Sequence, residues 1–73
     1  MNIEQLEPGK HYDFQIKSWE TPDGDVVPGE TRRRVFLGRI EIDGIPFLEV
    51  ERVTKKGKKL VIAEETISGI EPV

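Results

Sequence analysis

From residue 11 to residue 19 apolar and polar positions alternate strictly. Tyr12, Phe14 and Ile16 point one way, and His11, Asp13, Gln15 and Lys17 point the other. A period of two predicts a half-buried strand. The next apolar cluster predicts a second strand over about residues 33–42, carrying Val35, Phe36, Leu37, Ile40 and Ile42. Both faces of its first half are apolar, as in a strand that curves around a closed barrel or lies under a partner. Gly38 in its middle predicts a bend or bulge, since a flat strand gains nothing from glycine. Asp43-Gly44 is a hairpin turn, and the third strand follows over residues 45–53, with Pro46 at its start. Lys55-Lys56-Gly57-Lys58 forms a second tight turn, ahead of a fourth strand over residues 60–63. Glu64-Glu65 is polar punctuation, and a last short extended piece over residues 66–73 contains Ile67 and Ile70.

The two remaining stretches have other patterns. Ile3 and Leu6 stand at helical spacing, with Pro8-Gly9 as a stop, which predicts one helical turn that is stable only if docked. Residues 20–31 are rich in Pro, Gly and acids, and Pro22-Asp23-Gly24 is strong turn chemistry. A long exposed loop is expected there, with Val26-Val27 as a brief extended piece. No helical periodicity follows residue 9. The fold class is therefore all-β: a small, strongly bent five-stranded barrel with a short N-terminal helical turn. Its predicted core is Tyr12, Phe14, Ile16, Val35, Leu37, Ile40, Phe47, Leu48, Val50, Leu60, Ile62, Ile67 and Ile70.

Composition narrows the class. Seventy-three residues make a single domain, 1–73, and 36% hydrophobic against 34% charged residues leaves a thin core. No Cys is present, so neither disulfides nor thiolate chemistry is available. No apolar run approaches the roughly 20 residues of a membrane helix, and the acidic start MNIEQLEPG is unlike a signal peptide. A soluble, cytoplasmic protein without membrane contact is expected. The net charge of −3 conceals an asymmetry: residues 31–60 carry nine Lys and Arg against four Asp and Glu, so a centre of +5 lies between flanks totalling −8. Such a centre contacts an anion, or pairs with its own ends or a neighbouring subunit.

Catalysis finds little support. His11 is the sole histidine, on the polar side of a strand start, and the serines are Ser18 and Ser68. A solvated surface histidine is the simpler reading than a general base. Glu20, Asp23, Asp25 and Glu30 lack the order of a calcium loop, and the glycines are scattered rather than gathered into a phosphate loop. The expectation is no enzyme, no metal and no cofactor. Two basic clusters remain, Arg32-Arg33-Arg34 and Lys55-Lys56-Gly57-Lys58-Lys59. Lysines at a hairpin tip serve solubility and edge protection, whereas successive arginines on a strand present forks suited to phosphates or to the acids of the 20–30 loop. Trp19, on the polar side at a strand end, is the aromatic best placed to stack on a base or be covered by a neighbouring subunit.

Three segments carry a family resemblance: Gly38-Arg39-Ile40 followed by Asp43, the hairpin of residues 54–59, and Ile67-Ser68-Gly69-Ile70. With the short N-terminal turn and five bent strands, the layout resembles the Sm-like small β-barrel family. The resemblance implies a non-catalytic protein that assembles into a cyclic homo-oligomer and binds single-stranded RNA. In that family an Asn after the acidic position and an Arg before the last Gly hold the base. Here the one Asn is Asn2, and Ser68 stands in the place of that Arg. Nucleic-acid or anion binding is expected instead at Arg32, Arg33, Arg34, Arg39, Trp19, Lys55, Lys56 and Lys58. The competing reading is a protein-interaction or structural module that binds no nucleic acid, which the acidic pI of about 5.1 favours.

Overall fold

The computed structural model describes residues 1–55 and 57–73, and 58% of the chain is strand. Lys56 lies outside the described residues. The strands are β1 (His11–Ile16), β2 (Trp19–Glu20), β3 (Val26–Val27), β4 (Glu30–Ile42), β5 (Ile45–Arg52), β6 (Lys59–Ala63) and β7 (Ile67–Pro72). Five of them form one antiparallel sheet in the order β6-β5-β4-β1-β7, and β2 pairs with β3 in a separate two-residue ladder. The 20–31 loop is thus partly a small hairpin, with Trp19 opposite Val27.

β4 organises the sheet. Its first half pairs with β1, Phe14 facing Arg32 and His11 facing Val35, while its second half pairs with β5. Between the halves Leu37 is an extra residue, because Phe36 faces Val50 and Gly38 already faces Glu49. The expected irregularity is therefore present as a bulge. A side chain at Gly38 would meet nothing within 4 Å, so the bulge does not depend on glycine at that position.

Bulging changes which residues are inside. The buried set is Leu6, Tyr12, Phe14, Val35, Phe36, Leu48, Val50, Ile62 and Ile70, with Ile3, Ile16, Leu60 and Ile67 packed partly buried around it. Leu37, Ile40 and Phe47, expected in the core, are only half-buried, and Phe36 is buried in place of Leu37. Past the bulge the alternation of β4 reverses phase. Arg39 comes to face Leu48, and Ile40 and Ile42 face Phe47 and Ile45 on the outer side of the sheet. Ile42 and Ile45 remain 43% and 45% exposed, leaving this part of the sheet apolar on its outer face.

The β4–β5 hairpin closes through Asp43 and Gly44, whose φ angles of 51° and 80° are both left-handed. That is the two-residue turn whose twist matches the strands it joins. The N-terminal turn is a 3-10 turn over Ile3–Gln5, docked by Leu6 in the core and by the Glu7 N–H donating to the Tyr12 hydroxyl at 2.9 Å. Tyr12 is 2% exposed, and this bond satisfies its polar end.

A second 3-10 turn, Glu64–Thr66, links β6 to β7, the two outermost strands. Laid flat, five strands would separate these edges by about 19 Å, four spacings of about 4.8 Å. Four residue steps reach at most about 14 Å, so the sheet must curl. The Lys17 N–H donates to the Thr66 carbonyl at 2.8 Å and fastens the end of β1 to this turn. Among the described residues β6 and β7 do not pair with each other, so the sheet is strongly curled but is not a hydrogen-bonded closed barrel.

Candidate anion-binding groove

The first half of β4 extends past the end of β5, and a groove opens between it and the β5–β6 pair. Its volume is about 850 Å³. Leu60, Val61 and Ile62 contribute apolar surface, Arg32, Arg33, Arg34, Arg52 and Lys59 supply positive charge, and Glu30 is the carboxylate on the lining. Arg34 and Arg52 face each other directly across the β4–β5 ladder. Like charges in that relation destabilise a sheet.

The cations differ in what already holds them. Arg32 is paired with Glu30 within its own strand. Arg33 makes a fork-to-fork pair with Asp13, at 2.9 and 3.1 Å. This hydrogen bond draws the Asp13 carboxyl below its ordinary value and raises Arg33. Lys59 lies 3.4 Å from Glu49. Arg34 has only a neutral partner, the carbonyl of Arg33 at 2.8 Å. Burial first, then the charges of Arg32 and Arg52, push the Arg34 guanidinium below its ordinary value, with Glu30 opposing. Among the described residues Arg52 has no carboxylate within ion-pair distance. The groove thus holds two adjacent guanidinium groups that make no ion pair, because the carboxylate on its lining, Glu30, is already paired with Arg32.

The residues singled out in the sequence therefore divide. Arg32 and Arg34 meet in the groove; Arg33 also lines it but gives its guanidinium to Asp13. Arg39 stands far along β4, where it makes a fork-to-fork pair with Glu64 at 3.0 and 3.1 Å that raises its pKa. Of the four acids in residues 20–30, only Glu30 pairs with an arginine among the described residues. Lys55 and Lys58 are exposed in the β5–β6 turn, and Lys56 lies outside the described residues. Trp19 is 56% exposed and lines an adjoining pocket of about 360 Å³. Two of the three segments that carry the resemblance do converge: Arg39 and residues 67–70 line one pocket of about 260 Å³ with residues 1–4 and Glu64. Ser68 there spends its hydroxyl on the Gln15 carbonyl at 3.2 Å.

Arg52 and Lys59 join the groove although neither was singled out as a site residue. A signal for Arg52 existed. A two-residue turn at Asp43-Gly44 fixes the β4–β5 register, and one extra residue near Gly38 moves Arg52 from opposite Val35 to opposite Arg34. His11 is exposed, and among the described residues no three His, Asp or Glu converge as metal ligands. No helix among the described residues is long and apolar enough to cross a membrane. Comparison with known proteins found no matching family model, no matching curated protein and no matching solved structure.

Proposed function

We propose that this chain is a non-catalytic, Sm-like small-barrel module that binds single-stranded RNA through the β4–β5–β6 groove. The observation that carries this reading is the facing pair Arg34 and Arg52. Two guanidinium groups held opposite each other with no carboxylate paired to either are a cost to the fold that a bridging anion removes. A phosphodiester backbone suits them, because guanidinium forks match phosphate oxygens and the extended groove admits more than one phosphate. The five-stranded order with a short turn before its last strand supports the Sm-like reading of the fold. Recognition would rest on backbone charge rather than on the family's base pocket, since Ser68 replaces the arginine of that pocket.

The test is binding of short labelled RNA at two salt concentrations to the parent and to the variant Arg34→Gln/Arg52→Gln. The double variant is expected to weaken binding to all sequences alike and to flatten the log–log salt slope by up to about two units. A parent protein without RNA affinity at about 150 mM salt, where exposed ion pairs are already partly screened, overturns the reading.

A second reading concerns assembly, and a specific feature favours it. β6 and β7 each end the sheet with one edge unpaired among the described residues. Pairing β6 of one copy with β7 of the next is a head-to-tail contact, which closes into a ring when the rotation allows. Light scattering decides this: the parent should exceed monomer mass. A monomer at high concentration excludes the ring.

A further inference from the structure

The basic groove does not end at Arg32. That residue, with Val61 and Ile62, also lines the second pocket, which continues past Ala63 to Trp19. The two spaces share a wall, yet their chemistry differs. The second pocket is mainly apolar, with Lys17, Arg32 and Glu65 as the charged residues of its lining. Its apolar wall accepts a flat aromatic ring, and Glu65 offers an acceptor for hydrogen-bond donors on the ring's edge.

Trp19 is held in place for such a role. It belongs to the β2–β3 ladder, and the base of that hairpin approaches the end of β1 closely. A side chain at Gly29 would stand 2.7 Å from the Ile16 carbonyl and 3.2 Å from the Ser18 amide. Only glycine permits that approach, and it brings Trp19 beside Ile16 and Ala63 while leaving the indole more than half exposed. A large aromatic side chain left open beside an apolar pocket is a stacking platform.

We propose that this pocket is a nucleobase subsite: a base stacks on Trp19 with its amino edge toward Glu65, while a phosphate further along the same strand sits between Arg34 and Arg52. This inference rests on the RNA-binding reading and adds a base preference to it. Cytosine and adenine carry an exocyclic amino group that a carboxylate accepts, whereas uracil presents a carbonyl at the corresponding position. Oligocytidine and oligoadenosine should therefore bind more tightly than oligouridine.

Trp19 is the chain's one tryptophan, so its fluorescence reports the subsite directly. The experiment titrates the full chain with pentamers of cytidine, adenosine and uridine and with an abasic pentamer of equal charge. Base-bearing chains should quench Trp19, and the abasic chain should bind without quenching. Trp19→Leu should lose about tenfold in affinity for oligocytidine and none for the abasic chain, and Trp19→Phe should recover most of the loss. Glu65→Gln should narrow the margin of cytidine over uridine. If abasic and base-bearing chains bind the parent equally and without quenching, the subsite is wrong although the phosphate groove stands. Equal affinity for cytidine and uridine overturns the role of Glu65. If no pentamer binds, including the abasic one, the groove reading itself fails.

Discussion

The two halves of β4 are one continuous strand with opposite uses. Before the bulge, Arg32, Arg33 and Arg34 all line the groove, but Arg33 spends its guanidinium on Asp13. After it, Arg39 falls on the side of Leu48, and Ile40 and Ile42 turn outward. In the first half two like charges face each other across the ladder; in the second the inward arginine is closed by Glu64. Arginine count therefore says little about binding. What distinguishes the halves is whether the fold supplies each cation with an acid. A single inserted residue, Leu37, sets this difference, because it changes which residues share a face.

The largest expected effect tests the phase reversal. Phe14 lies in the core at 0% exposure, and Phe14→Ala should cost about 3–5 kcal/mol. Phe47 faces outward beside Ile40 and is half-buried, so Phe47→Ala should cost less than half as much. Urea denaturation of both variants checks this. Equal losses would place Phe47 in the core and undo the account of the bulge.

Next in size is a contrast between the arginines. Arg34→Gln/Arg52→Gln should lose about tenfold or more in RNA affinity while gaining up to ~1 kcal/mol in stability, since the like-charge contact disappears. Arg39→Gln should do the reverse, lowering stability by loss of the Glu64 pair and leaving RNA affinity unchanged. The urea midpoint must move in opposite directions for the two sites, and binding must fall only for the Arg34 and Arg52 variant. If the Arg34 and Arg52 variant loses stability instead, the pair is held by a counter-charge within the assembly.

Much of the architecture was legible in the sequence because it depends on local chemistry. Alternation announced β1, Asp43-Gly44 announced the hairpin, and Gly38 marked the neighbourhood of the bulge. Which residue bulges was not legible, because Leu37 is set by pairing with β5 and not by its own neighbours. The errors at Leu37 and Ile40 follow from that single uncertainty, whereas the error at Phe47 follows from alternation along β5, where Leu48 and Val50 take the inner face. Three of the four site arginines have acid partners in the structure, and their partners explain why the cluster divides. Arg33 meets Asp13 from 20 positions away and Arg39 meets Glu64 from 25 away, distances at which sequence proximity is no guide. Trp19 was recognisable as exposed, but its pocket is built from β1, β4, β6 and the turn after it, which only the curled sheet assembles.

A smaller effect belongs to the turn that fixes the register. Gly44 sits at φ 80°, in the left-handed region, with open space around a would-be side chain. Gly44→Ala should therefore cost about 1 kcal/mol through backbone strain alone, without a clash. A loss several times larger would mean that the β4–β5 register itself had slipped, which amide exchange protection along β5 would reveal.

The smallest effect separates paired from unpaired arginines by pH. The Arg33 hydrogen bond, opposed by partial burial and aided by its charge, holds the Asp13 carboxyl below its ordinary value of 3.8. A group depressed on folding binds fewer protons folded than unfolded, so stability rises with pH across the interval between the two values. The contribution is complete above the ordinary carboxylate range and is lost as pH falls through the depressed folded value. Asp13→Asn should remove this part of the acid limb and leave the rest, as urea midpoints near pH 7, 4 and 3 would register. Arg34→Gln should leave that Asp13-dependent difference unchanged, because Arg34 has no carboxylate partner in the groove. If Arg34→Gln erased the difference as Asp13→Asn does, the two faces of the first half of β4 would share one charge network, and the groove cations would not be free for an outside anion.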